Sequence, residues 1–244
     1  MNFKANKWSD IIGNEDLKRV LKNMVIRHKS GLAKKEKPRL LVTGTSRSGK
    51  TESIELFTRV LMCQAIDPET LDPCQGSCDA CVQKASRFGM SGLYSEFWSG
   101  GVEFIPVDCG LFSTLGSLVE KLDIREVYAS RTRVYFLDEF QTLFRNKIDE
   151  ALLKTVEQVN AYWFFATAKP DEIDEMFKNR VIEISTQLPG KLEFAKWLQD
   201  RSNEAGVHLN PQQILNLCRA SNMVPGLALK QLSTAALLGP PREG

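Results

Sequence analysis

The sequence predicts an α/β domain, a mostly parallel sheet with helices on both faces, followed by a small all-helical unit. Three observations carry that prediction. Short apolar runs recur as far as residue 184, as strands buried on both faces require. Stretches with helical periodicity lie between them, the alternation that builds parallel sheets through crossover connections. From about residue 187 only helical periodicity remains. The length of 244 residues suits one large domain with a smaller companion.

Taken in order, Leu17, Val20, Leu21, Met24 and Val25 fall at i, i+3, i+4, i+7 and i+8, one face of a helix over about 14–27. Residues 30–38, rich in Lys and Gly, read as a solvated loop. The run RLLVT at 39–43 is a strand, GTSRSGKT follows at once, and 52–61 is helical. Residues 87–101 are rich in Gly, Ser and aromatics without a period and read as a loop insertion. A strand at 102–107 (VEFIPV), a helix over about 115–129 and a strand at 133–137 (RVYFL) follow. Ile148, Leu152, Leu153 and Val156 line one face of the next helix. The runs YWFFAT at 162–167 and VIEI at 181–184 complete the strands, and 191–205, 211–220 and 226–238 are the last helices. The PPREG tail reads as frayed.

Composition narrows the function classes. Hydrophobic residues are 43% and charged residues 25%, which excludes wholesale disorder. Lys plus Arg exceeds Asp plus Glu by 32 − 30 = 2, too balanced to argue for nucleic acid from charge alone. No apolar run approaches the roughly 18 residues that span a bilayer. The opening MNFKANKWSD carries no apolar signal-peptide core, so no membrane partner and a cytoplasmic location are expected.

The cysteines point to a metal. Cys63-x10-Cys74-x3-Cys78-x2-Cys81 supplies four thiolates, the donor set of a closed tetrahedral Zn²⁺ site with Zn–S near ~2.3 Å. With no adjacent base, such a zinc is structural. Cys109 and Cys218 stand apart and read as small buried hydrophobes. With only His28 and His208 in the chain, histidine-centred catalysis is not expected.

Gly44-Thr45-Ser46-Arg47-Ser48-Gly49-Lys50-Thr51 fits G-x-x-x-x-G-K-[ST] in full. In a strand–loop–helix context its backbone N–H groups converge on phosphate oxygens, and the helix N-terminus points at the same place. Lys50 reaches β- and γ-phosphates, and the Thr51 hydroxyl ligates Mg²⁺. The strand Val134-Tyr135-Phe136-Leu137 ends in Asp138-Glu139, at the edge where open α/β sheets bind ligands. Asp138 is expected to hold Mg²⁺ and Glu139 to act as the general base toward water.

These motifs in this order resemble the AAA+ ATPases, and among them the ATPase subunit of bacterial clamp loaders, the tau/gamma subunit of DNA polymerase III. Trp8-Ser9-Asp10-Ile11-Ile12-Gly13-Asn14-Glu15 is similar to the family's N-terminal box, whose apolar residues, here Ile11 and Ile12, lie against adenine. Glu150-Ala151-Leu152-Leu153-Lys154-Thr155-Val156-Glu157 resembles the stretch after the acidic strand. Phe165-Ala166-Thr167-Ala168-Lys169-Pro170 occupies the sensor-1 place, with Thr167 or Ala168 as the equivalent. Lys178-Asn179-Arg180 stands where the family's Ser-Arg-Cys motif places an Arg that reaches a neighbouring subunit's ATP. The family also carries a four-cysteine zinc module after its P-loop helix, as here.

The resemblance implies an ATPase that uses ATP, Mg²⁺ and structural Zn²⁺ and works as an oligomeric switch in clamp loading. Residues 1–186 would form the nucleotide-binding domain, with the zinc module at about 63–84, and 187–240 a helical lid. The nucleotide would contact Ile11, Ile12, Gly44, Thr45, Ser46, Arg47, Ser48, Gly49, Lys50, Thr51 and Glu52, and Arg180 would act in trans beside Glu139. Other AAA+ subunits, a sliding clamp and primer–template DNA are the implied partners, with Lys121, Arg125, Arg131 and Arg133 as basic positions toward a duplex, ordinary solvated surface being the competing and favoured reading of these four. A salt bridge from Arg180 to Glu183 or Asp174 is the competing reading of that residue. The sequence departs from the family in the lid, where Gly226 takes the place of the sensor-2 Arg, with Lys230 a turn later and Arg219 upstream. The family continues into a helical collar, so the resemblance implies a collar beyond Gly244 or another mode of assembly. A clamp-loader-derived ATPase of a phage, mobile element or defence system, and a nucleotide-binding scaffold with little turnover, are the alternatives.

Overall fold

The computed structural model describes residues 4–34, 37–82, 97–99, 101–122, 131–145 and 149–238. Six strands form one sheet: β1 (Arg39–Thr43), β2 (Phe97–Ser99), β3 (Val102–Asp108), β4 (Thr132–Asp138), β5 (Tyr162–Thr167) and β6 (Ile182–Ser185). Their spatial order is β2-β3-β4-β5-β1-β6. Every neighbouring pair is parallel except β2 with β3. The helices are α1 (Glu15–Lys29), α2 (Lys50–Met62), α3 (Leu115–Leu122), α4 (Gln141–Arg145), α5 (Asp149–Gln158), α6 (Glu175–Lys178), α7 (Lys191–Glu204), α8 (Pro211–Ala220) and α9 (Pro225–Leu238).

The inner strands are largely apolar because both of their faces are covered, whereas the edge strand β6 is mostly exposed. Leu40 and Val42, Val134 and Phe136, and Tyr162 and Phe164 pack with α1 and α2 on one face. Leu41, Tyr135, Leu137, Trp163 and Phe165, one residue out of phase, pack with α3, α4 and α5 on the other. That two-residue alternation across continuous apolar runs is the signature of a doubly covered parallel sheet. Tyr135 and Trp163 stack with centroids 4.1 Å apart at the middle of the second face. Truncating so large a buried ring to Ala costs about 3–5 kcal/mol.

A third apolar cluster joins the last three helices, with Phe194, Leu198, Ile214, Ala228 and Leu232 at its centre. Ile12 belongs to this cluster too, so the N-terminal segment is packed against the helical part. α8 starts sharply because Asn210 Oδ1 accepts from Gln213 N at 2.9 Å while Gln213 Oε1 accepts from Asn210 N at 2.8 Å, a capping box followed by Pro211.

One expectation changes in detail. Within the stretch read as a loop insertion, residues 97–99 form an antiparallel edge strand on β3. Three residues in a Gly- and Ser-rich context leave no period to detect. The helix expected over 115–129 is seen as α3 to Leu122, and its remainder, Arg125 included, lies outside the described residues, as do Ile148, most of the 87–101 segment and the PPREG tail. Cys109 and Cys218 are buried, as expected.

Candidate functional site

The carboxyl ends of β1, β4 and β5 meet at one edge, because Thr43 pairs with Thr167 and Leu137 with Phe165. There the Gly44–Thr51 loop passes from β1 into α2. Gly44 has φ 136°, and a β-carbon on it would overlap the Thr186 hydroxyl, so no other residue fits this first turn. Its N–H donates to Thr167 O at 3.2 Å, anchoring the loop on β5. Gly49, at φ 97°, turns the chain into α2. The Lys50 ammonium is buried and donates to Gly44 O at 2.8 Å and Thr45 O at 2.9 Å. Burial pulls its pKa down, and the carboxylates of Asp138 and Glu139 oppose that.

A cavity of about 590 Å³ opens in front of the loop. Ser46, Arg47, Ser48, Gly49, Lys50, Thr51 and Glu52 line it, together with Asp138, Glu139, Ile11 and Ile12. Thus most of the expected contact residues converge. Gly44 and Thr45 stand behind this wall, where their carbonyls hold Lys50. Thr51 Oγ1 lies 3.4 Å from Asp138 Oδ2, so a hydroxyl and a carboxylate face one another as a divalent cation site requires.

Glu139 is exposed and has φ 50°, an unusual conformation for a non-glycine residue. Gln141, the first residue of α4, donates from Nε2 to Glu139 Oε2 at 2.6 Å and accepts at Oε1 from the Thr167 hydroxyl at 2.6 Å. Thr167 itself is fully buried and lies off the cavity wall. It therefore reaches the acidic pair through Gln141, a residue that sequence reasoning passed over. Asn14 was passed over as well. Buried at 1% exposure, it donates from Nδ2 to Ser48 O at 2.8 Å and accepts at Oδ1 from Gln187 N at 2.8 Å. It ties the N-terminal segment to both the phosphate loop and the chain leading into α7. Gln141 belongs to no contiguous motif, and Asn14, though it stands in the N-terminal box, is given no role by that resemblance.

Arg180 does not approach the cavity of its own chain. Its Nη1 lies 3.0 Å from Glu157 Oε1 on α5, so the intrachain partner is neither Glu183 nor Asp174. Asp174 instead caps α6, accepting from Met176 N at 2.6 Å. Arg133 is buried against Glu103 Oε2 at 3.0 Å and the Tyr135 hydroxyl at 3.2 Å, which corrects its reading as a position toward a duplex.

The helical part closes the cavity with Trp197, Arg201, Gly226 and Lys230. Gly226 N donates to Arg47 O at 3.1 Å, and a β-carbon there would lie 2.8 Å from Arg47 Cβ. The start of α9 thus rests directly on the phosphate loop, and no side chain fits at position 226. Arg201 pairs with Asp10 at 3.3 Å and Glu204 at 2.9 Å. Arg219 is exposed and lies off the cavity wall.

At the far end of α2, the sulfurs of Cys63, Cys74, Cys78 and Cys81 lie within 4.8 Å of one another. The Cys63 and Cys78 sulfurs are 3.9 Å apart, close to the ~3.8 Å edge of a tetrahedron with Zn–S of ~2.3 Å and far from a disulfide. Lys29 donates to the carbonyls of Leu61 at 2.8 Å and Cys63 at 2.7 Å, placing a cation beside the thiols. The donor set fits a four-thiolate zinc.

No protein-family profile and no curated protein matches the chain. Solved structures do. A RuvB variant from Thermotoga maritima matches with a TM-score of 0.63 at 14% identity, covering 95% of this chain and 64% of its own. A chain of the E. coli HORMA:CdnC:Trip13 complex gives 0.59 at 13% identity, covering 96% and 85%. A katanin structure gives 0.53 at 17% identity, covering 100% and 77%. These neighbours are AAA+ ATPases, and this chain has the AAA+ fold. It spans slightly less than two thirds of the RuvB chains it matches. Among the described residues no helix is long and apolar enough to cross a membrane.

Proposed function

We propose that the chain is an ATP-binding and ATP-hydrolysing AAA+ subunit that works as an oligomeric switch, with clamp loading in DNA replication as its task. The observation that carries the ATPase reading is the convergence of Lys50, Thr51, Asp138 and Glu139 on one cavity. In this reading residues 1–186 form the nucleotide-binding domain and 187–240 the lid. The loop N–H groups and Lys50 bind the phosphates, and Ile11 and Ile12 face the base. Thr51 and Asp138 would hold Mg²⁺, which supplies charge neutralisation on the β- and γ-oxygens. Glu139 takes a proton from water as the water oxygen bonds to the γ-phosphorus. The bond from that phosphorus to the β–γ bridging oxygen breaks, leaving ADP and phosphate.

The trans role of Arg180 rests on its chemistry and exposure. A guanidinium stays charged and donates two parallel hydrogen bonds. Its pair with Glu157 joins two side chains that are each more than two fifths exposed, so a neighbouring subunit's phosphate can compete for it. The katanin structure concerns self-assembly, which agrees with a multimeric role here.

The clamp-loading task rests on the motif resemblance and on the four-cysteine cluster that follows α2. Gly226 against Arg47 favours a second reading, a clamp-loader-derived ATPase with another task, because the place of the family's lid arginine is closed. Stimulation of hydrolysis by primer–template DNA plus a sliding clamp separates the two. Glu139→Gln is expected to bind ATP and lose hydrolysis by about 10²–10⁴-fold. Arg180→Ala is expected to keep binding while losing about 10³–10⁵ in rate. Mixing the two variants should restore part of the rate, since some interfaces then join an intact Glu139 to an intact Arg180. No recovery in an assembly that exchanges subunits would exclude action in trans.

A further inference from the structure

We infer that the zinc module positions the base-facing wall of the nucleotide cavity through Trp8 and Asp72, so that metal occupancy sets affinity for the nucleotide's base end; this rests on the nucleotide-binding reading above. The span between Cys63 and Cys74 is closed on itself. Asp67 N donates to Asp72 O at 3.0 Å, and Leu71 N to Asp67 O at 2.9 Å. Leu71 sits at φ 60°, a conformation a leucine keeps only when its surroundings fix it. From this loop two hydrogen bonds reach a residue more than 60 positions away. Trp8 N donates to Asp72 Oδ1 at 2.7 Å, and the Trp8 indole N–H donates to Leu71 O at 2.9 Å. Trp8 is 3% exposed, so an unmade bond there would leave a buried donor unsatisfied.

The segment that Trp8 anchors leads straight to the cavity. Asp10 accepts at its carbonyl from the Trp197 indole at 3.1 Å and at Oδ1 from Arg201 at 3.3 Å. Ile11 and Ile12 come next and line the wall. On the other side of Trp8, Ala5 N donates to Glu52 at 2.6 Å and Ala5 O accepts from Arg59, both on α2. The segment is thus held by α2, by the cysteine loop and by the helical part. Of the three, the cysteine loop is the one whose ends a bound metal would join, since Cys63 and Cys74 bracket it. Opening that bracket returns ordering entropy to the loop and weakens its grip on Trp8. At the phosphate end Lys50 is held by carbonyls of its own loop, and the segment meets that loop through Asn14, whose Nδ2 donates to Ser48 O, rather than through Trp8.

Calorimetry with ATP and with inorganic tripolyphosphate tests this, on the full chain with zinc bound and after chelation. Stripping zinc is expected to weaken ATP about tenfold while tripolyphosphate binding is unchanged. Asp72→Ala should reproduce that loss with its zinc retained. Asp72→Asn, whose side-chain oxygen still accepts from Trp8 N–H, should restore the ATP affinity. Hydrogen exchange at residues 5–12 should quicken on chelation without any nucleotide present. Equal weakening of both ligands would mean general loosening and overturn the inference. So would unchanged ATP affinity with slow exchange at 5–12. A zinc-loaded protein that binds neither ligand would instead remove the nucleotide-binding reading, which the exchange measurement does not require.

Discussion

α2 carries a different kind of site at each end. At its N-terminus the phosphate loop is made from consecutive residues, and its shape is held by main-chain conformation at Gly44 and Gly49. At its C-terminus the cysteine cluster takes Cys63 from the helix cap and three thiols from the segment up to 18 positions later, 81 − 63. The first site is preformed by backbone and needs no ion to keep its shape. The second is a set of side chains whose loop a bound metal would close. In the proposed reading, a rigid end and a conditional end on one helix would give the molecule a fixed place for phosphate and an adjustable one beyond it.

The largest expected effect breaks the rigid end alone. Lys50→Ala removes the buried cation and should raise the Kd for ATP at least about 100-fold, or ~2.7 kcal/mol. The zinc content should stay at one ion per chain, because none of the sulfur ligands touches the loop. Elemental analysis and calorimetry on the same preparation read both ends. Unaltered ATP affinity would remove Lys50 from the site, and lost zinc would show that the ends are not independent.

The same contrast explains what could be read from the sequence. The phosphate loop, the acidic strand end and the cysteine spacing are contiguous or nearly so, and each was legible with its local context. The sheet was legible because both faces are buried and the strands read as unbroken apolar runs. Gln141 was not, because its value lies in contacts with Glu139 and Thr167, the latter 26 residues away. Nor was the function of Asn14, whose partners Ser48 and Gln187 are 34 and 173 residues distant. The Glu157 partner of Arg180 was missed for the same reason: the fold brings α5 within reach of the segment that follows α6. Periodicity and motifs report local order, whereas polar networks across elements appear only once the fold is assembled.

Gln141 offers the next test of the rigid end. Its amide fixes the Glu139 carboxylate, so Gln141→Ala should lower the hydrolysis rate about tenfold while ATP affinity is unchanged. A single-turnover measurement at saturating ATP separates the two. A fall in affinity with the rate preserved would mean that Gln141 shapes the cavity rather than the base.

The conditional end has a pH dependence of its own. His28, one residue before Lys29, lies with Nδ1 3.2 Å from the Tyr162 hydroxyl. Burial first, then the charges of Lys29 and Lys37, push its pKa from 6.5 down to about 4. The unfolded chain therefore takes up a proton that the folded one refuses. The stability from this neutral imidazole is complete above pH 6.5 and is lost as pH falls toward 4. At pH 5 the loss should be about 1–2 kcal/mol. Urea unfolding of the native chain and of His28→Gln, compared from pH 7.5 to 5, isolates it, since the thiolates contribute equally to both. Parallel curves would show that His28 is protonated in the folded state too.

The smallest effect is the most informative about assembly. Glu157 and Arg180 pair at 3.0 Å with 45% and 42% of their side chains exposed. Water competes for both groups, and ordering two long side chains offsets much of their attraction. Such a pair contributes about 0–1 kcal/mol. Glu157→Gln should therefore change unfolding stability by less than ~0.5 kcal/mol and leave ATP affinity of the isolated subunit unaltered. It releases Arg180 from its own chain, so in the assembled state the hydrolysis rate should be maintained or rise. If the substitution instead costs well over ~1 kcal/mol, the pair is a structural tie between α5 and the end of α6. Arg180 would then belong to its own subunit, and its charge would not be free to meet a neighbour's phosphate.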